Sequence, residues 1–120
     1  MSAPAPDRPP TPDGSVHEMS PGELAERQQG PQPPVVLDVR EPWEHQIARI
    51  AGARLVPLGS LGAALSTFDP AQEYVLYCHH GVRSLAAAEF LRARGLTRVA
   101  NLAGGIDAWS VQVDPAVPRY

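Results

Sequence analysis

Two short apolar runs, "VVLDV" (35–39) and "EYVLYC" (73–78), constrain this chain more than any other feature of it. Each is nearly continuous in large or β-branched residues, and each is too short for a core helix. Runs of this kind read as strands buried on both faces, as in a parallel sheet. Parallel neighbours need a crossover between them, usually a helix. The sequence between and around the runs therefore has to supply helices.

It does. In "MSPGEL", Ser20 is a good N-cap, Pro21 suits the first helical position and Glu23 completes a capping box. Met19 and Leu24 have the spacing of a hydrophobic staple, so a helix is predicted over Pro21–Gln28, ended by "GPQPP". Pro42 is placed to start a second helix in "EPWEHQIARI". "ARLVPL" gives a second strand around Arg54–Val56, and "GSLGAAL" a brief helix. The strongest helical pattern is "SLAAAEFLRARG", predicted to begin near Ser84. Ala87, Phe90 and Leu91 share one face there, arginines gather in the last turn, and Gly95 stands at the C-terminal cap. "TRVANL" is a further strand and "GGIDAW" opens the last helix. Strands alternate with helices throughout, which predicts an α/β domain: a mostly parallel sheet with helices on both faces.

A chain of 120 residues fits one domain. The expected organisation is a disordered, Pro-rich segment over 1–14, the domain over 15–112 and an extended tail over 113–120. No apolar stretch is long enough to span a bilayer, and the N-terminus lacks the layout of a secretory signal. The expected location is the cytoplasm, with no membrane partner. All ten basic residues are arginines, interspersed with acidic ones at a net charge of −3. That pattern argues against a nucleic-acid binder, which carries a basic patch.

The chain has one cysteine, Cys78, at the end of "EYVLYC". It can make no internal disulfide and cannot supply the paired cysteines of a zinc ribbon. It is a buried packing residue or a reactive thiol. Its surroundings, "YCHHGVRS", favour the second. In open parallel sheets ligands bind beyond the carboxyl ends of the strands, which is where Cys78 falls. Gly81 lets the chain curl, so that backbone N–H groups can face the sulfur. The N-terminus of the following helix and the charge of Arg83 add to a field that binds anions and lowers a thiol pKa.

"CHHGVRS" resembles the active-site loop of the rhodaneses, a sulfurtransferase family whose loop reads Cys-Arg-x-Gly-x-Arg-Ser. Cys78, Gly81, Arg83 and Ser84 match, while His79 replaces an arginine. "LDVRE" (37–41), "IAGARLVPL" (50–58) and "NLAGGIDAW" (101–109) resemble further motifs of that family, with Arg49 and Ala51 standing where His and Pro are common. The resemblance implies a rhodanese-like fold with a central five-stranded sheet. It also implies sulfur transfer through a persulfide on Cys78, from thiosulfate or a low-molecular-weight persulfide to a thiophilic acceptor, with cyanide serving in vitro. His79, His80, Gly81, Val82, Arg83 and Ser84 would form the substrate loop, with Arg83 attracting an anionic donor. No cofactor or metal is implied. Cysteine phosphatases use a similar cradle with one more residue between Cys and Arg, and a phosphatase-like enzyme is the rival reading. A persulfide carrier or docking module is another.

Other residues have structural readings. Asp38 would tie down loop amides and Arg40 would join an ion pair. His45 would be a surface or helix-packing residue. Ser84 would cap its helix, its hydroxyl also in reach of the sulfur. Trp109 would pack beneath a turn permitted by Gly104 and Gly105. The ending "AWSVQVDPAVPRY" resembles tails of rhodanese domains associated with adenylylating enzymes, which implies a sulfur-carrier protein or an adenylyltransferase as partner.

Overall fold

The computed structural model describes residues 15–120. The expectation for residues 1–14 lies outside the described residues. Five parallel strands form one sheet in the order β1-β5-β4-β2-β3: β1 (His17–Met19), β2 (Val35–Asp38), β3 (Arg54–Leu55), β4 (Tyr74–Tyr77) and β5 (Val99–Leu102). The helices are α1 (Pro21–Gln28), α2 (Pro42–Ile47), α3 (Leu61–Ala64), α4 (Val82–Ala93) and α5 (Gly105–Gln112). Short 3₁₀ turns flank α3 on both sides.

Alternation along the central strands sorts the core into two layers. Leu76 and Cys78 of the β4 run join Leu37, Val39, Ala87, Ala88 and Leu91 on one face. Val75 and Tyr77 join Met19, Leu24, Val36, Leu102, Ile106 and Trp109 on the other. Trp109 thus packs on the second face. Leu91, fully buried, contributes about 1.5–3 kcal/mol by leaving water.

Local signals fix the helix ends. The Ser20 side chain accepts the Glu23 N–H at 3.1 Å and starts α1. After α4, Gly95 takes φ 94°, its N–H bonds the Arg92 carbonyl at 3.1 Å, and the Leu96 N–H bonds the Leu91 carbonyl at 3.1 Å. That is a Schellman ending, with Leu96 buried beside Leu91. Crossovers leave β2 toward β3 and β4 toward β5, in opposite directions. The gap between the carboxyl ends of β2 and β4 is therefore the switch point of the sheet, where a ligand crevice belongs.

β1 lies outside the sequence reading. Its three residues, His17, Glu18 and Met19, contribute one core side chain from an edge strand, too little for a periodic signal.

Candidate functional site

The chain leaves β4 at Tyr77 and enters α4 at Val82. Gly81 makes the turn with φ 101°, a left-handed conformation that side chains resist. This aims its N–H at Cys78 Sγ, 3.1 Å away. The first turn of α4 adds the Ser84 N–H at 3.4 Å and the Ser84 hydroxyl at 3.3 Å. Cys78 is 1% exposed, and burial by itself raises a thiol pKa. The bonds from the Ser84 hydroxyl and from the N–H groups of Ser84, Gly81 and His80 outweigh it and lower the Cys78 pKa. The cradle stabilises a thiolate with dipoles.

Ser84 does not cap α4. Gly81 holds the N-cap position, so the helix begins two residues before Ser84, at Val82. Ser84 then sits inside the first turn, and its hydroxyl is free to face the sulfur. The same hydroxyl, with one proton to give, also lies 2.5 Å from Asn101 Oδ1, so it donates to the sulfur or to the amide oxygen, one at a time. Asn101 Nδ2 donates to the Gly81 carbonyl at 3.1 Å and to the Glu18 carboxylate at 3.0 and 3.1 Å. Asn101 therefore holds both the glycine and the serine that face Cys78.

Helix α5 closes the loop from the other side. The Ile106 N–H donates to the Cys78 carbonyl at 2.9 Å and the Asp107 N–H to the His79 carbonyl at 3.1 Å. A Cβ on Gly105 would collide with both carbonyls. Glycine is needed there to let two backbones meet.

The Arg83 guanidinium turns to Glu44 of α2, with bonds of 2.7 and 2.9 Å. Glu44 Oε1 also accepts the Glu41 N–H at 3.1 Å in a capping box, and Oε2 accepts the Tyr120 hydroxyl at 2.5 Å. The Arg83 bonds, offset in part by burial and helped by Tyr120, hold the Glu44 pKa down to about 2. The same pairing raises the Arg83 pKa.

Beyond Tyr120 lies a second buried network. Arg40 Nη1 donates to the Tyr120 oxygen at 2.8 Å. Arg40 Nε and Nη2 reach the two oxygens of Asp38 at 2.8 and 2.6 Å, and its N–H reaches Oδ1 at 3.0 Å. Both residues are 0% exposed. Burial would raise the Asp38 pKa, but the bonds from Arg40 and His45 hold it below its ordinary value. His45 Nδ1 lies 2.8 Å from Asp38 Oδ2, so it belongs to this network and is not a surface or packing residue. The Tyr77 hydroxyl donates to the same oxygen at 3.1 Å. Its pKa is raised by burial and by the Asp38 charge.

His79 and His80 stack on each other, with centroids 4.0 Å apart, and the Tyr120 ring stacks on His79, also at 4.0 Å. Burial and the neighbouring His80 lower the His79 pKa. Val82 stands 77% exposed beside them. Tyr120 reaches this place because the tail folds back. The expected extended tail contains a turn, with the Val117 N–H bonded to the Asp114 carbonyl at 3.1 Å. The Val117 carbonyl is held by the Ser110 hydroxyl at 2.6 Å, which anchors the tail on α5.

The structure thus brings Cys78, Gly81, Ser84 and the backbone of His80 around one atom. Arg83, Asp38 and Arg40 lie in the adjoining ionic networks. Sequence reasoning missed Glu18, Glu44, Asn101 and Tyr120 as parts of the site. Local signals existed for two of them: Glu44 stands three residues after Glu41, where a capping box belongs, and Asn101 opens the family-like stretch "NLAGGIDAW".

Residues 20–112 match the family model of the Rhodanese-like domain. The chain is 32% identical over 95 residues to a protein of Allochromatium vinosum named "Sulfurtransferase", covering 79% of this chain and 89% of that one. It is 38% identical over 87 residues to the "Probable adenylyltransferase/sulfurtransferase MoeZ" of Mycobacterium tuberculosis, covering 71% of this chain but only 22% of MoeZ. This chain therefore corresponds to under a quarter of MoeZ. Among solved structures, a rhodanese-related protein of Thermoplasma volcanium superposes with a TM-score of 0.76 at 30% identity, covering 88% of this chain and 100% of that one.

Proposed function

The chain belongs to the rhodanese-like domain family, and from that membership and the cradle around Cys78 we propose that it is a sulfurtransferase working through a Cys78 persulfide. The observation that carries this reading is the convergence of backbone N–H groups and the Ser84 hydroxyl on one buried sulfur.

The thiolate attacks the sulfane sulfur of thiosulfate or of a low-molecular-weight persulfide. A bond forms from Cys78 Sγ to that sulfur, and the donor's S–S or S–SO₃ bond breaks, releasing a thiolate or sulfite. An acceptor nucleophile then takes the outer sulfur, and Sγ recovers its electron pair. This divides one hard transfer into two covalent steps. The N–H and O–H groups that hold the thiolate also hold the persulfide anion, in the manner of an oxyanion hole. His79, His80 and Val82 border the entrance, while Asp38 and Arg40 support the fold beside it.

The MoeZ likeness supports a place for the domain beside an adenylyltransferase, delivering sulfur to a carrier protein. The location that fits a single reduced thiol is the cytoplasm. A phosphatase reading is disfavoured by the geometry. The loop has only four residues between Cys78 and Arg83, and Arg83 is turned to Glu44 instead of into the cradle.

The test is to load the protein with thiosulfate or with glutathione persulfide, record the intact mass, then add cyanide and assay thiocyanate. A gain of one sulfur that cyanide discharges is expected, and it is lost in Cys78→Ser at an unchanged urea midpoint. Full transfer by Cys78→Ser would remove the mechanism. Hydrolysis of a phosphate ester by the same sample would replace it with the rival.

A further inference from the structure

The two donor classes make different electrostatic demands on the site. With thiosulfate, a thiolate meets a dianion, and a Cys78 persulfide anion and sulfite dianion leave. Three negative charges share that transition state. With a protonated persulfide, the thiolate meets an uncharged –S–SH group, and any charges on the donor lie away from the reacting sulfurs. The terminal sulfur keeps its proton as it bonds to Sγ, and a thiolate departs, so one negative charge is shared. Dipoles accommodate a single charge, but gathering three at ångström separations calls for a full positive charge close by.

The loop's permanent cation meets that work already compensated by a carboxylate, although its charge still couples to that of Cys78. Both Nη atoms of Arg83 are bonded to Glu44 in a bidentate pair. Glu44 is itself fixed, its side chain 4% exposed, by the capping box at the start of α2 and by the Tyr120 hydroxyl. Arg40, the other arginine of this region, is consumed by Asp38 and fully buried. At the position next to the cysteine the loop carries His79, which stacks under Tyr120. Among the described residues, the groups bonded to Sγ are N–H and O–H dipoles.

We infer that Glu44, held in place by Tyr120, makes the Cys78 site selective for persulfide donors over thiosulfate, an inference that rests on the sulfur-transfer reading above. Glu44 and Tyr120 are specificity-determining residues that act through Arg83. The C-terminal tail thereby takes part in donor choice. Its last aromatic ring covers His79 while its hydroxyl secures the counter-ion of the loop arginine.

The experiment compares kcat/KM for thiosulfate and glutathione persulfide, with cyanide as acceptor, in the wild-type chain and in Glu44→Gln. The wild type is expected to favour the persulfide. Glu44→Gln keeps the capping geometry but releases the charge of Arg83, and it is expected to raise the thiosulfate-to-persulfide ratio by about tenfold or more. Added salt gives a second reading that needs no variant. With Arg83 compensated, thiosulfate kcat/KM is expected to stay flat or rise with ionic strength, whereas a free Arg83 would make it fall. Equal or better use of thiosulfate by the wild type overturns the inference, as does a fall with salt or an unchanged ratio in a folded Glu44→Gln protein. Sulfur loading from neither donor would instead overturn the sulfur-transfer reading, and the inference with it.

Discussion

The loops that follow β4 and β2 sit side by side at the switch point of one sheet, and they solve the problem of a buried anion in opposite ways. At the end of β2, the Asp38 carboxylate is met by a full positive charge, Arg40, with His45 and Tyr77 on its remaining lone pairs. After β4, the Cys78 sulfur is met by N–H and O–H dipoles, and the nearby arginine is directed elsewhere. A buried carboxylate whose oxygens are all taken by a guanidinium, an imidazole and a hydroxyl is locked in place. A charge held by dipoles is stabilised but keeps its electron pair available. The contrast separates a structural anion from the one proposed above as the nucleophile, within a single crevice.

The sharpest way to break that contrast is to strip the first loop of its cation. Arg40→Met leaves Asp38 as a buried carboxylate without its main partner, and a loss of about 3–5 kcal/mol is expected in urea unfolding. The pH midpoint of Cys78 alkylation should move far less than stability does. A large shift of that midpoint would mean that the two loops are one electrostatic unit. In the second loop the balance reverses. Ser84→Ala removes one of the bonds to the sulfur, and the pH midpoint of iodoacetamide alkylation should rise by about one pH unit. Its urea midpoint should fall only modestly, since Asn101 retains Glu18 and the Gly81 carbonyl.

The smallest effect is on the bridge between the loops. The Glu44 pKa lies at about 2 in the folded protein against an ordinary value of 4.5. Its pairing therefore contributes stability that is complete above the ordinary value and is lost as pH falls from 4.5 toward about 2. The urea midpoint should decline across that window, and Glu44→Gln should flatten part of the decline. An unchanged slope in the variant would assign the acid sensitivity to other carboxylates, with Asp38 first among them.

Much of this arrangement is readable along the chain, because much of it is local. The Cys78–Ser84 stretch carries its own turn glycine, helix start and hydroxyl within seven residues. The two valine- and tyrosine-rich runs announce buried parallel strands. What could not be read is what the strand order brings together. Asn101 meets Ser84 because β5 lies beside β4, and Glu44 meets Arg83 because α2 leaves β2 at the same crevice. Asn101 opens a family-like motif and Glu44 has the spacing of a capping box, but neither signal says that the residue meets the Cys78 loop. Ser84 was misleading for a related reason. Serine before an apolar helix reads as a cap, but Gly81 with its positive φ had already taken that position. Tyr120 is more remote still, reaching His79 only after a turn in the tail that its two prolines obscure.

The grip of α5 on the loop also sets an order of events during synthesis. The carbonyls of Cys78 and His79 find their backbone donors in Ile106 and Asp107. Asn101, which holds the turn at Gly81, likewise comes from β5. A chain growing on the ribosome from its N-terminus therefore completes the surroundings of its one thiol only after residues 101–107 have emerged and docked. Until then the cysteine lacks the framework that shapes its cradle. The hydrogen bonds that lower the Cys78 pKa are therefore completed only once the C-terminal third of the domain has docked.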